Sequence, residues 1–273
     1  MAQEGNAPLT ARSVLASTLL GAEPPLLPVA YLVHVAGLFG INENRARVAL
    51  SRMVASGEAA TDGTGRYRLA GHLLERQARQ QASRAGRTRP WSGEWRLAVA
   101  GPGSPAEVRA ARRRAMALAR MGELRDGVWL RPDNLEAPFE PAGTGELTVL
   151  SARPEGDPAT LAARLWDLPA WGRRAAGLLD ALDALVPRGP GDLAPGFELS
   201  AAVLRHFQAD PLLPDPLLPA DWPGDRLRRR YRAWDADYRA VLDRWGRAAR
   251  PAAPAPGNTA AASVVGPGAG VQQ

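Results

Sequence analysis

The 273-residue chain contains no cysteine. Disulfides and thiolate metal sites are therefore excluded, which fits a reducing compartment. Lysine is absent as well: all 34 basic positions are arginine, in a composition also rich in Ala, Gly and Pro. Histidine occurs three times, at His34, His72 and His206, far apart and without metal-ligand spacing. No apolar run is long enough to span a bilayer, and no signal-peptide core follows a basic start. The expectation is a soluble, cytoplasmic protein that meets no membrane. Missing too are a Gly-x-Ser-x-Gly elbow, a Gly-Lys-Ser/Thr phosphate loop and a dinucleotide fingerprint. Without such a constellation the chain is expected to be no enzyme, and to hold no metal or resident cofactor.

What is present is positive charge, unevenly spread. The net charge is +6. Residues 1–90 carry eleven arginines against six acids, and the remainder is nearly balanced. A surplus confined to one part is the electrostatic footprint expected of a nucleic-acid contact. The length suits about two domains.

The most informative stretch runs from Phe39 to Gly57. Asn42 stands where a helix would begin and can accept from an orphan N–H of the first turn. Glu43 then lies at the positive end of the dipole, and Gly57 suits the C-terminal stop. Ala46, Ala49, Leu50, Met53 and Val54 repeat at helical spacing as a buried face. Asn44, Arg45, Val48, Ser51, Arg52 and Ala55 fall mainly opposite, with Arg47 on the flank. Amide and guanidinium groups near a helix N-terminus can donate to base edges in a major groove. Upstream, Val29, Leu32, Val33, Ala36 and Phe39 predict a second helix from Pro28 to Gly40, so the pair reads as a helix-turn-helix. Downstream, Glu58-Ala-Ala and Arg66–Leu69 flank a Gly-rich turn and predict a hairpin. That is the winged-helix order. On the helix pair alone, a basic amphipathic helix with a solvated face is an equal reading.

The rest of the chain divides by composition. Residues 1–9 are expected to be disordered. The DNA-binding unit spans 10–70, beginning with a Thr10-capped helix through about Leu20, and 71–90 is a basic linker. In 91–165, strands at Glu94–Ala100, Gly127–Arg131 and Glu146–Ala152 alternate with helices at Ala106–Gly122 and from Asp157-Pro158. This predicts an α+β unit of ferredoxin-like type. On the first of these helices Val108, Ala111, Ala115, Leu118 and Ala119 are expected inward, and Arg109, Arg112, Arg113 and Arg114 outward. Residues 166–249 read as helical, with a possible break at Pro169, an irregular Pro-rich segment at 210–223 and an aromatic stripe in the last helix. Residues 250–273 read as a disordered tail.

Two stretches together resemble one family. Gly40–Gly57 is similar to the recognition-helix segment of the PaaX family of phenylacetate-degradation repressors. Asp210-Pro-Leu-Leu-Pro-Asp-Pro-Leu-Leu-Pro-Ala-Asp-Trp-Pro223 resembles that family's C-terminal signature. Trp91-Ser-Gly-Glu-Trp95, Gly127-Val-Trp-Leu-Arg-Pro132 and Leu165-Trp-Asp-Leu168 fit at the same order. The resemblance covers about residues 10–247. It implies an N-terminal winged helix, a central ferredoxin-like (Cas2-like) α+β domain and a C-terminal helical domain. It also implies a homodimeric regulator, usually a repressor, that responds to an aryl-CoA effector such as phenylacetyl-CoA. The first central strand departs from the family pattern: Val99-Ala-Gly-Pro-Gly103 replaces an Asp-Ile-Pro-like segment.

The expected function is a dimeric DNA-binding regulator acting on double-stranded operator DNA. Asn42, Asn44, Arg45, Arg47, Ser51 and Arg52 are the candidate contacts of the helix, and Arg66 and Arg68 those of the wing. Arg109, Arg112 and Arg113 are candidates for the phosphates of an effector, against a plain reading as a solvated helix face. Two other readings stand beside this one. The chain could be a ligand-binding or protein-interaction scaffold that touches no DNA. It could also be a metal-dependent nuclease, which would want a carboxylate where Ala100 and Gly101 stand.

Overall fold

A computed structural model describes residues 9–22, 25–136, 139 and 146–248. The segments expected to be disordered, 1–9 (apart from Leu9) and 250–273, lie outside the described residues. The architecture is mixed α+β: N-terminal helices, two small antiparallel sheets and C-terminal helices.

Helix α1 (Ala11–Leu20) starts where Thr10 caps it, the hydroxyl accepting from Ser13 N at 3.1 Å. Helix α2 (Val29–Gly37) follows Pro28, and α3 (Glu43–Ala55) follows a turn in which Gly40 has φ +68°. The apolar faces of the three helices meet. Leu15, Leu19, Leu32, Leu50 and Met53 are buried together with Leu69 and Leu73. Each such side chain contributes about 1.5–3 kcal/mol by leaving water. Strands β2 (Ala59–Thr61) and β3 (Arg66–Leu69) form the expected hairpin. A two-residue strand β1 (Leu27–Pro28), not expected, pairs with β3 and gives the order β1-β3-β2.

The expected basic linker is mostly helix. Helix α4 (His72–Ala85) packs on α1 and α8. Leu73, Gln77, Gln80 and Arg84 recur at helical spacing, with Leu73 and Gln77 buried. Polarity hides this stripe in the sequence. It is tolerated because its polar groups find partners: Gln77 Nε2 donates to Leu20 O at 3.3 Å, and Arg84 pairs with Asp235.

The second sheet is built from β4 (Trp95–Ala100), β5 (Gly122–Arg125), β6 (Val128–Pro132) and β7 (Leu147–Ala152), in the order β5-β6-β4-β7. All its pairs are antiparallel. Strand β5 was not expected: the predicted helix ran to Gly122, the first residue of that strand. Helix α5 (Ala106–Leu118) instead stops early, and Arg120 takes a left-handed φ of +59°. The buried face of α5 also differs from expectation. Arg112 and Met116 are buried, while Leu118 is 63 % exposed. Arg112 points inward because Ser104 Oγ accepts from its Nη2 at 3.3 Å.

Helices α6 (Pro158–Leu165), α7 (Leu168–Ala184), α8 (Leu193–Gln208) and α9 (Gly224–Ala248) complete the chain. The break falls at Trp166-Asp167 rather than Pro169, because Asp167 caps α7 by accepting from Ala170 N at 2.9 Å. Pro169 then sits in the first turn, where its missing N–H costs nothing. Trp171, Phe207, Tyr231, Trp234 and Tyr238 centre the C-terminal core. The Pro-rich segment straps this core to the sheet. Its Leu213 and Leu217 pack with Trp95. Asp210 accepts from Arg228 Nη2 at 2.7 Å, and Leu212 O accepts from Asn134 Nδ2 at 2.8 Å.

Candidate nucleic-acid interface

The N-terminus of α3 is organised before anything binds it. Asn42 Oδ1 accepts from Arg45 N at 2.9 Å, which leaves the amide hydrogens of Asn42 to donate outward. Glu43 accepts from Arg47 Nε at 2.7 Å, and both side chains are more than half exposed. A pair so exposed is worth well under about 1 kcal/mol, so Arg47 can leave it for a phosphate or a base. Asn44, Arg45, Val48, Ser51 and Arg52 are all exposed, while Ala46, Leu50 and Met53 are buried beneath them. The structure thus brings together the expected set on one face. Val48, expected on the same face, is 42 % exposed in the middle of polar neighbours. An apolar side chain there can meet a thymine methyl.

The hairpin presents a second basic surface. Along β3, Arg66 and Arg68 are exposed while Leu69 is buried, and Tyr67 lies between. The turn before β3 is held by Asp62, whose Oδ1 accepts from Thr64 N at 2.9 Å, Thr64 Oγ1 at 2.8 Å and Arg66 N at 3.2 Å. The Thr64 N–H above all holds the Asp62 carboxyl below its ordinary range. Sequence reading passed over Asp62, although an Asp two residues before Thr in a Gly-rich turn is the signal for it. At the base of the hairpin Glu58 is nearly buried and accepts from Arg12 Nε at 2.8 Å. That bond lowers the Glu58 pKa and raises that of Arg12. It ties α1 to the strand that leaves α3.

Residues 10–73, from the start of α1 through the hairpin, match the family described as PaaX-like protein. A solved structure, "Uncharacterized protein Rv0674 from Mycobacterium tuberculosis", is 42% identical with a TM-score of 0.70. The alignment covers 88% of this chain and 99% of that one. The chain belongs to the PaaX-like family. No curated protein matches it. The family match ends at residue 73, so it contains every α3 and hairpin residue named above and none of the central arginines.

In this PaaX-like chain the central arginines do gather. Arg109, Arg112 and Arg113 line a cavity of about 420 Å³ beside the Gly101–Ser104 loop. Each is already engaged within the protein. Arg109 Nη1 donates to Ser104 O at 2.7 Å, and Arg112 is buried against Ser104. Arg113 pairs with Glu123 and with Asp126, the latter at 2.8 Å. Of the linker arginines, Arg84 pairs with the buried Asp235 and Arg89 with Asp133, while Arg76, Arg79 and Arg87 are exposed. Among the described residues no helix is long and apolar enough to cross a membrane, and no cluster of His, Cys, Asp or Glu could hold a metal ion.

Proposed function

We propose that this PaaX-like chain is a transcriptional regulator that binds operator DNA through α3, most simply as a homodimeric repressor. One observation carries the reading: α3 rests its apolar side on α1 and α2 and exposes Asn44, Arg45, Val48, Ser51 and Arg52 together. A helix so supported and so faced suits a major groove. The order α1-α2-α3-β2-β3 supports a winged helix, with Arg66 and Arg68 of the hairpin on flanking phosphates. The antiparallel order β5-β6-β4-β7 supports a ferredoxin-like layout for the centre. The exposed Val149 and Leu150 on the edge strand β7 favour a partner that covers them. A two-fold dimer would read half-sites about 10 base pairs apart or a multiple of that.

The test is a fluorescence-anisotropy titration of the purified chain against promoter DNA of its own and neighbouring genes, with random DNA as competitor. The expected result is promoter binding that survives the competitor and weakens steeply with salt, because phosphate contacts release counterions. Binding indifferent to salt, or equal for promoter and random DNA, overturns the reading. Each titration is repeated with phenylacetyl-CoA. Release of the DNA is the outcome expected of a repressor with an aryl-CoA effector.

A further inference from the structure

A chamber of about 780 Å³ lies between the N-terminal helices α1 and α2 and the helices α4, α8 and α9. Its size falls within the range that encloses small organic ligands. Its walls are segregated by element. Helix α4 contributes Arg76, Gln80, Gln81 and Arg84, and the C-terminal half of α8 adds Arg205 and Gln208. Helix α2 contributes Tyr31 and Val35, Leu38 follows at its end, and the first half of α8 adds Phe197, with Leu242 of α9 beside them. One end is therefore arginine and carboxamide, and the other is mainly aliphatic and aromatic, with Arg239 and Asp243 of α9 beside Tyr31.

The charge of the walls has a definite sign. Four arginines, Arg76, Arg84, Arg205 and Arg239, face two aspartates, Asp235 and Asp243. Asp235 is buried and serves two of the four at once, Arg84 and Arg239. Arg76 and Arg205 form no salt bridge among the described residues. Net positive charge in a partly desolvated wall favours an anion.

The chamber also sits where two bodies meet. Specific contacts join the two beside it. Arg239 Nη1 donates to Gly21 O at 2.7 Å. His34 of α2 stacks on Trp245 of α9 with ring centroids 3.6 Å apart. Phe39 meets Phe197 edge-on at 5.0 Å. Helices α1 and α2 are also the supports of α3. A molecule lodged in the chamber therefore touches both the platform of the DNA-facing helix and the C-terminal helices.

We propose that this chamber binds an amphipathic organic anion, an acid group on an apolar body. Its acid end meets Arg76, Arg84 and Arg205, and its apolar end meets Tyr31, Leu38, Phe197 and Leu242. Occupancy fixes the seating of α1 and α2 against α8 and α9, and so the presentation of α3. The last step rests on the DNA-binding reading, and the ligand site does not.

The experiment uses the full chain and the fluorescent aromatic anion 8-anilinonaphthalene-1-sulfonate. Saturable one-to-one binding is expected, displaced by decanoate at concentrations at least tenfold below those needed with decanol. Arg205→Glu, at an exposed position that does not threaten folding, should abolish that preference for the acid. Ala201→Trp, which puts an indole into the chamber, should weaken the probe at least tenfold while near-ultraviolet circular dichroism still reports a folded chain. No saturable site, or an acid preference unchanged in Arg205→Glu, overturns the proposal. Decanoate should also slow amide hydrogen exchange in α1 and α2 severalfold, and unchanged exchange there overturns the coupling. Failure of promoter binding without decanoate would count against the DNA reading alone, because the probe and exchange measurements need no DNA.

Discussion

His206 gives the chain a measurable sensitivity to acid. It is 4 % exposed in the C-terminal core and stacks on Trp171 with centroids 4.1 Å apart. Trp171 stacks in turn on Trp222 at 4.3 Å. The Nε2 of His206 has no hydrogen-bond partner. Burial first, and then repulsion from Arg174, push the imidazolium pKa down from 6.5 to about 4. In the unfolded chain the same ring takes a proton near pH 6.5. Between those values the unfolded state binds more protons, so stability falls as the pH falls. The stabilisation is complete above about pH 6.5 and gone below about pH 4. Between pH 7 and pH 5 it amounts to about 2 kcal/mol, at roughly 1.4 kcal/mol per pKa unit. Urea denaturation followed by tryptophan fluorescence reads it directly. Wild type and His206→Phe are each unfolded at pH 7 and at pH 5. The wild type should lose about 2 kcal/mol more than the variant over that interval, a difference in midpoint on the order of 1 M urea. Equal losses in the two proteins would refute the claim that a neutral ring is required in that stack.

Three further outcomes follow from the geometry. Arg47→Ala should weaken promoter binding by roughly 1–3 kcal/mol if Arg47 leaves Glu43 to read a base, and discrimination against random DNA should fall with it in the anisotropy titration. Arg66→Ala and Arg68→Ala should each lower the slope of log affinity against log salt by about 1 with little change in sequence preference; unaltered slopes would remove the hairpin from the phosphates. Gly71→Ala should be strongly destabilising, by about 2 kcal/mol or more. Gly71 has φ +53° and a Cβ there would lie 2.6 Å from the backbone oxygen of Gly57. A thermal midpoint equal to wild type would contradict that contact.

The surface of α3 could be read from the sequence because local rules agree there. A cap at Asn42, an apolar stripe through Ala46, Leu50 and Met53, and a stop at Gly57 all specify one helix, and the structure forms it. The hairpin was equally readable from its Gly-rich turn. Helix α4 was not, because its inner stripe is glutamine and arginine, and only partners far along the chain make such burial tolerable. Strand β5 was hidden because the helical pattern runs on through Arg120. A left-handed arginine is not a stop that sequence rules anticipate. It is held from outside: Arg120 Nη1 donates to Phe207 O and Gln208 O, both at 3.3 Å, and Nη2 to Ser83 Oγ at 2.7 Å. The chamber was unreadable for the same reason. Tyr238 belongs to the aromatic stripe of the last helix and Arg84 to the expected linker, and their shared wall exists only once α4 lies across α8.

Helix α4 is a shared beam. Leu73 closes the core of the N-terminal helices, Gln77 holds the end of α1, and Ser83 and Arg84 serve Arg120 and Asp235 on the far side. A fragment cut at residue 73, where the family match ends, would keep Leu73 and lose the other three contacts. The unit of α1, α2, α3 and the hairpin is therefore not an exchangeable cassette. Its melting is tied to that of the C-terminal helices, and a substitution in either is felt by both. Recombination that trades such a unit between related chains has to carry α4 and its seat together.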